Sequence, residues 1–268
     1  MQFRTTTELL SLGRERLGFT QHYVYEWDDG LGEHNGKVFM NFQITNEQIP
    51  AEQLGESIFE TFKSYFFLDL GRDPYDRFED ALKEVNALVA KMEEEQGMKF
   101  FANVHVVIGA LVNAELLLSS SGYAEAYLVR KMHLSPISEG FVDPKKEQQE
   151  LFANIASGIL EEGDFLFFAT ARLLRYITKV DLGKMCKRDA SLESVFEKLE
   201  SAVRRDVSER MTVLGIRAEG VVESHTTELT TETVLEEKRS AEKGFLPVLQ
   251  DFFQKCTQSK VLKKTMGR

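Results

Sequence analysis

The sequence is poor in cysteine, with only Cys186 and Cys256. They lie far apart and outside any ligand-like spacing, so they read as free thiols of a reducing compartment. Basic residues are also in deficit: 33 Lys and Arg face 43 Asp and Glu, a formal net charge of -10. A nucleic-acid surface needs a basic stripe, and this balance argues against one. No apolar run approaches the roughly 20 residues of a membrane helix. The opening MQFRTTTELL lacks the basic start and apolar core of a signal peptide. These absences make the cytoplasm the expected location. Internal repeats are missing, as are a G-x-S-x-G elbow, a glycine-rich phosphate loop and any Cys/His metal spacing.

What is present suits a globular chain. The 268 residues are 43% hydrophobic and 28% charged, enough for a sizeable core and for one large domain or two small ones. The chain is organised around Phe100 to Leu174. Val104, Val106 and Ile108 alternate up to an Asn113-Ala114 break. Glu115 to Ser119 and Ala126 to Val129 follow as further strands, divided by Gly122. Phe152 to Leu160 and Phe165 to Thr170 flank Glu161-Glu162-Gly163-Asp164. Gly-Asp between two apolar runs predicts a hairpin.

Upstream, Phe3 to Leu12 and Phe19 to Trp27 read as a first pair of strands. Asp28 to Gly36 is a loop by composition, and Lys37 to Ile44 is a strand. Ala51 to Leu70 and Asp76 to Glu95 each carry an apolar stripe at helical spacing, so two helices should cover one sheet face. Ser191 to Val203 is a third helix, with Asp189 or Ser191 as N-cap, and Met211 to Arg217 is a last strand. Val221 to Lys243 is rich in Thr and Glu and reads as a linker. Phe245 to Thr265 recovers an amphipathic pattern and ends among Lys260, Lys263 and Lys264. The expected organisation is therefore a domain over 1–220, a polar linker over 221–243 and an amphipathic tail over 244–268.

This order of elements resembles the metal-dependent protein phosphatases, the PPM or type-2C family. The family's Gly-Asp-Ser-Arg-Ala-Tyr-Leu matches Gly122-Tyr123-Ala124-Glu125-Ala126-Tyr127-Leu128. Its Gly-Asp, apolar strand and Ser-Asp-Gly-Leu match Gly163-Asp164, Phe165 to Ala169 and Thr170-Ala171-Arg172-Leu173. The resemblance covers about Thr5 to Gly220. It implies an α+β fold, a four-layer αββα sandwich of two mainly antiparallel sheets flanked by helices.

The resemblance also implies two-metal hydrolysis of phosphoesters, with carboxylates holding Mg²⁺ or Mn²⁺. The matching positions here are His22, Gln43 (Asn41 in a register two residues shorter), Ala171 and Glu209, and Tyr123 replaces a further Asp. Only Glu209 retains a carboxylate. Two dications held close together repel and need several anionic ligands, and Arg172 adds a positive charge beside them. The expectation is a domain without catalytic residues, metal or cofactor. It would act as a signalling or binding pseudophosphatase on a protein partner, one that can be phosphorylated. Arg172 and Arg175, three residues apart, suit an anion, although pairing with surface acids is the plainer reading. Glu161, Glu162 and Asp164 read as turn residues rather than a metal cluster. Two other readings stand beside this one. The first is an active phosphatase using Mg²⁺ or Mn²⁺ with unusual ligands. The second is a relative of the N-terminal-nucleophile hydrolases, with Thr5 to Thr7 as candidate nucleophiles. The 245–265 segment is a candidate for docking on the domain, on a partner, on a second copy of the chain or, through Lys260, Lys263 and Lys264, on a membrane surface, with protein contact favoured.

Overall fold

Runs of β-branched and aromatic residues between Gly, Asn and Ser breaks form the strands, and stripes at helical spacing form the helices. The computed structural model describes residues 3–13, 18–28, 35–46, 49–142, 150–203 and 210–220. All lie in the unit Met1–Val221. The linker and tail readings over 221–268 fall outside the described residues.

In chain order the strands are β1 (Phe3–Leu12), β2 (Phe19–Asp28), β3 (Asn35–Ile44), β4 (Val104–Val112), β5 (Glu115–Ser121), β6 (Glu125–Arg130), β7 (His133–Pro136), β8 (Ala156–Ile159), β9 (Phe165–Ala169) and β10 (Met211–Gly220). The helices are α1 (Ala51–Phe66), α2 (Pro74–Gln96), α3 (Lys179–Met185) and α4 (Leu192–Val203). Two antiparallel sheets result, one in the order β1-β10-β9-β6-β7 and the other β2-β3-β4-β5-β8. The fold is the α+β sandwich expected.

Period-two alternation sorts each strand's side chains between layers. Phe39, Val107 and Leu118 of one sheet meet Ala126, Phe168, Leu214 and Ile216 of the other in the central core. Gly109 has no side chain because the Phe168 ring passes where one would stand, 2.9 Å from a Cβ built there. On the outer face of the first sheet, Phe165, Phe167 and Val213 pack under Leu192, Val195, Phe196 and Leu199 of α4. On the outer face of the second, Tyr23 stacks on Phe59 at 4.9 Å between ring centroids, and Phe62 meets Phe78 edge-on at 5.1 Å. Each fully buried apolar side chain, such as Phe62 or Phe78, contributes about 1.5–3 kcal/mol relative to exposure. The α2 start is capped by Asp73, whose carboxylate accepts from the Tyr75 N–H at 2.8 Å. Ser191 caps α4 in the same way, accepting from the Ser194 N–H at 3.2 Å.

Three expectations are corrected. The Gly163-Asp164 turn does not close a hairpin: β8 pairs with β5 in one sheet, while β9 pairs with β6 and β10 in the other. The turn passes the chain between layers. Likewise β1 and β2 are not a pair, because they lie in different sheets. The first helix stops at Phe66, four residues before Leu70, where the 67–73 segment turns towards Asp73. Two elements, β7 and α3, were not anticipated. No helix among the described residues is long and apolar enough to cross a membrane.

Candidate functional site

Phe42 of β3 faces α1, where it lies against Gly55. The alternation then points Asn41 and Gln43 at the opposite sheet. Asn41 is fully buried there. Its Nδ2 donates to the Phe168 carbonyl at 2.7 Å and to the Thr212 carbonyl at 3.0 Å. Its Oδ1 accepts from the Thr212 hydroxyl at 3.0 Å. The Thr212 N–H in turn donates to Thr170 Oγ1 at 3.1 Å. One amide therefore ties β3 to β9 and β10 across the sandwich.

Gln43 lies one step nearer the end of the sheets. Its Nε2 donates to the Arg210 carbonyl at 3.0 Å, and its Oε1 is buried with no hydrogen-bond partner. Opposite Gln43 on β4 stands His105, which the sequence reading passed over. His105 is only 6% exposed, and its Nδ1 accepts from the Tyr123 N–H at 3.2 Å. Burial pushes the imidazole pKa down to about 4, so the ring is neutral at pH 7. The turn that brings Tyr123 round depends on Gly122, at φ +68°, where a Cβ would fall 2.3 Å from His105 Nδ1 and 2.4 Å from the Val104 carbonyl.

The other predicted positions fall around the same end. His22 is opposite Asn41 on the edge strand β2, and desolvation lowers its pKa. Ala171 follows β9, half-buried against the core under α3 and α4. Tyr123 is exposed, with its ring 5.1 Å from that of His105 and the Arg172 guanidinium 5.6 Å from its centroid. Arg172 Nε also lies 3.5 Å from Glu125 Oε1. Arg175 is exposed one 3-10 turn further on, and Glu209 lies outside the described residues. The structure thus gathers Gln43, Tyr123, Ala171 and Arg172 at one end of the sandwich.

The donor set at this end is amide, hydroxyl, neutral imidazole and guanidinium. Among the described residues, Glu125 is a carboxylate at this end, and it is engaged by Arg172 and by the Tyr127 hydroxyl. Hard dications such as Mg²⁺ and Mn²⁺ require oxygen anions, so these residues do not fit a two-metal centre. Among the described residues no group of three or more His, Cys, Asp and Glu could hold a metal ion. The acidic turn at the opposite end is structural. Asp164 is buried and takes both Nε and a terminal nitrogen of Arg130, at 3.0 and 2.6 Å, while accepting from the Glu161 N–H at 2.7 Å.

His105 gives no recognisable signal in the sequence, since a lone His in an apolar strand is usually packing, whereas Thr212 falls at the Thr of the family's Asp-Asn-x-Thr. Asn41 was in view as the alternative register, and the geometry makes it the residue at the centre.

No protein-family model and no curated protein matches the sequence. Solved structures do match in fold. A Streptococcus agalactiae serine/threonine phosphatase is 13% identical, with a TM-score of 0.59 over 81% of this chain and 100% of that one. PppA, described as a key regulatory component of the type VI secretion system in Pseudomonas aeruginosa, is 14% identical, with a TM-score of 0.57 over 81% and 98%. The Mycobacterium tuberculosis serine/threonine phosphatase PstP is 14% identical, with a TM-score of 0.56 over 82% and 100%. The fold is that of the PPM-type serine/threonine phosphatases.

Proposed function

We propose that this chain is a PPM-type phosphatase fold that no longer assembles the metal centre, and that it works by binding. It acts as a signalling or scaffolding module for a protein partner, one that presents phosphate groups. The observation that carries this reading is Asn41, locked between β9 and β10 by three hydrogen bonds. An aspartate there could not donate to the Phe168 and Thr212 carbonyls. An asparagine so engaged carries no negative charge, and its Oδ1 is already held by the Thr212 hydroxyl inside the sandwich. Arg172, over Tyr123 and against Glu125, puts positive charge beside the position where a dication would sit.

The reading assigns no cofactor. It places the protein in the cytoplasm, in keeping with the buried free thiol of Cys186. The 245–265 segment is proposed as a second contact for a partner on the strength of its sequence pattern alone. Nothing favours the N-terminal-nucleophile alternative: Thr5 to Thr7 sit inside β1, paired with Ala218 to Ile216 of β10.

The test is calorimetric titration of the pure protein with Mn²⁺ and Mg²⁺, together with a phosphopeptide hydrolysis assay in the same buffers. No metal-binding heat and no turnover are expected. Turnover that depends on Mn²⁺ and vanishes on chelation would make the chain an active phosphatase with unusual ligands instead.

A further inference from the structure

Between the 120–125 turn and the 172–179 segment lies an open cavity of about 430 Å³, lined by Ser120, Glu125, Glu139, Arg172, Arg175 and Lys179 among others. Its cations are placed by local structure. Leu173, Ile177 and Leu182 are buried in the core, which pins the segment running from the 3-10 turn Leu173–Arg175 into α3. Arg172 caps this turn and Arg175 ends it, and both line the cavity. Lys179 opens α3 on the same rim.

Among the described residues the cations there are mostly unpaired. Arg172 has one carboxylate, Glu125, which reaches its Nε and is shared with the Tyr127 hydroxyl. Arg175 and Lys179 have no ion-pair partner among the described residues. Glu139 is the other acid on the wall, and it is exposed. A second cavity of about 500 Å³ at the far end provides a contrast. Its wall carries Arg130, Lys131, Lys187 and Arg188, and there Arg130, Lys131 and Arg188 are ion-paired with Asp164, Glu161 and Glu162.

A second observation is independent of charge. Ser120 is 3% exposed, and its hydroxyl is buried with no hydrogen-bond partner, yet it lines this cavity. A buried donor left unmade costs free energy, and a ligand acceptor would relieve it. Two guanidinium groups, an ammonium and a free hydroxyl around one space match an oxyanion with several acceptor oxygens.

We infer that this cavity binds a phosphate monoester without metal, through Arg172, Arg175, Lys179 and Ser120. The inference rests on the binding reading above and deepens it by naming the site and the ligand group. The phosphate can come from a phosphoseryl or phosphothreonyl side chain or from a free small phosphate.

The experiment is calorimetry on the full chain in a chelating buffer. The probes are a short neutral peptide carrying one phosphoserine, the same peptide unphosphorylated, and inorganic phosphate. The phosphopeptide is expected to bind and its unphosphorylated form not to. Arg172→Gln with Arg175→Gln should weaken binding at least about tenfold, since each charge-assisted hydrogen bond is worth more than a neutral one. Ser120→Ala should weaken it less, Glu139→Gln should tighten it, and Arg188→Gln at the far end should change nothing. Equal affinity for inorganic phosphate and phosphopeptide would support the site with free phosphate as its occupant. Neither phosphate probe binding, or binding that survives the double arginine change, would overturn the inference. The two readings fail separately. Loss of phosphate binding in chelator leaves the metal-free reading intact, whereas Mn²⁺-dependent hydrolysis of the same peptide removes that reading whatever the cavity binds.

Discussion

At the scale of single residues, the Asn41 amide is a cross-link between the two sheets. Asn41→Asp converts two hydrogen bonds to the Phe168 and Thr212 carbonyls into contacts between a carboxylate and carbonyl oxygens. The expected loss is about 3 kcal/mol in a denaturant melt, without any gain of Mn²⁺ binding. A variant as stable as the parent would show that the network is not a cross-link. His105 makes a second residue-scale prediction, for acid. Unfolded, it titrates near 6.5; folded, near 4. Between those values the unfolded chain binds a proton that the folded chain refuses, so falling pH favours unfolding. The stability His105 confers is complete above about pH 6.5 and is lost towards about pH 4, by up to about 3 kcal/mol. His105→Gln keeps an acceptor for the Tyr123 N–H and removes the titration. Its melts at about pH 7 and about pH 5 should differ less than those of the parent, and an equal difference would refute the assignment.

At the scale of elements, the 160–164 turn and the α3 segment do different work at opposite ends of β9. The turn carries the chain from one sheet to the other and is fixed by the buried Asp164 on Arg130. Asp164→Asn removes the charge from that pair and leaves half-exposed Glu161 as the one carboxylate on Arg130 among the described residues. A loss of about 2 kcal/mol or more is expected in thermal or denaturant melts. Phosphate binding by the folded variant should be unchanged, because the turn is remote from the cation-lined cavity. Weakened phosphate binding in a folded Asp164→Asn protein would mean that the two ends are coupled.

At the scale of the whole molecule, the sandwich was legible and its strand pairing was not. The helices α1, α2 and α4 announced themselves by apolar stripes, and β3, β4 and β10 by runs between breaks. Gly163, at φ +87°, makes a real turn, but a turn reports only that the chain reverses. Which strands then pair depends on burial. All five residues of β9 are buried, as befits a strand covered on both faces, whereas β8 is largely exposed and takes an edge. That difference stood in FLFFA against ASGI and outweighs the local Gly-Asp signal. Helix α3 escaped notice because only Leu182 and Gly183 of its seven residues are buried, too few for a stripe. That Gln43, Tyr123 and Arg172 lie at one end of the sandwich was expected from the resemblance, which said where to look. His105 and the unpartnered Ser120 hydroxyl could not be found that way, since burial and missing partners exist only in three dimensions.

The pairing of β1 with β10 runs from Phe3 opposite Gly220 to Leu12 opposite Met211. Because β10 sits between β1 and β9, the first sheet has a gap at its second position until the last strand arrives. On the ribosome, then, β1 waits unpaired while some two hundred residues follow it. The apolar strand β9 is meanwhile bare along one edge, a template for pairing with another nascent chain. The second sheet has no such debt, since β2 to β5 pair with sequence neighbours as they emerge. Synthesis should therefore yield a half-built sandwich that closes in one late step. A stalled chain ending before Met211 should be protease-resistant only from β2 to β5, and a chaperone that shields β9 should raise the yield of the complete protein.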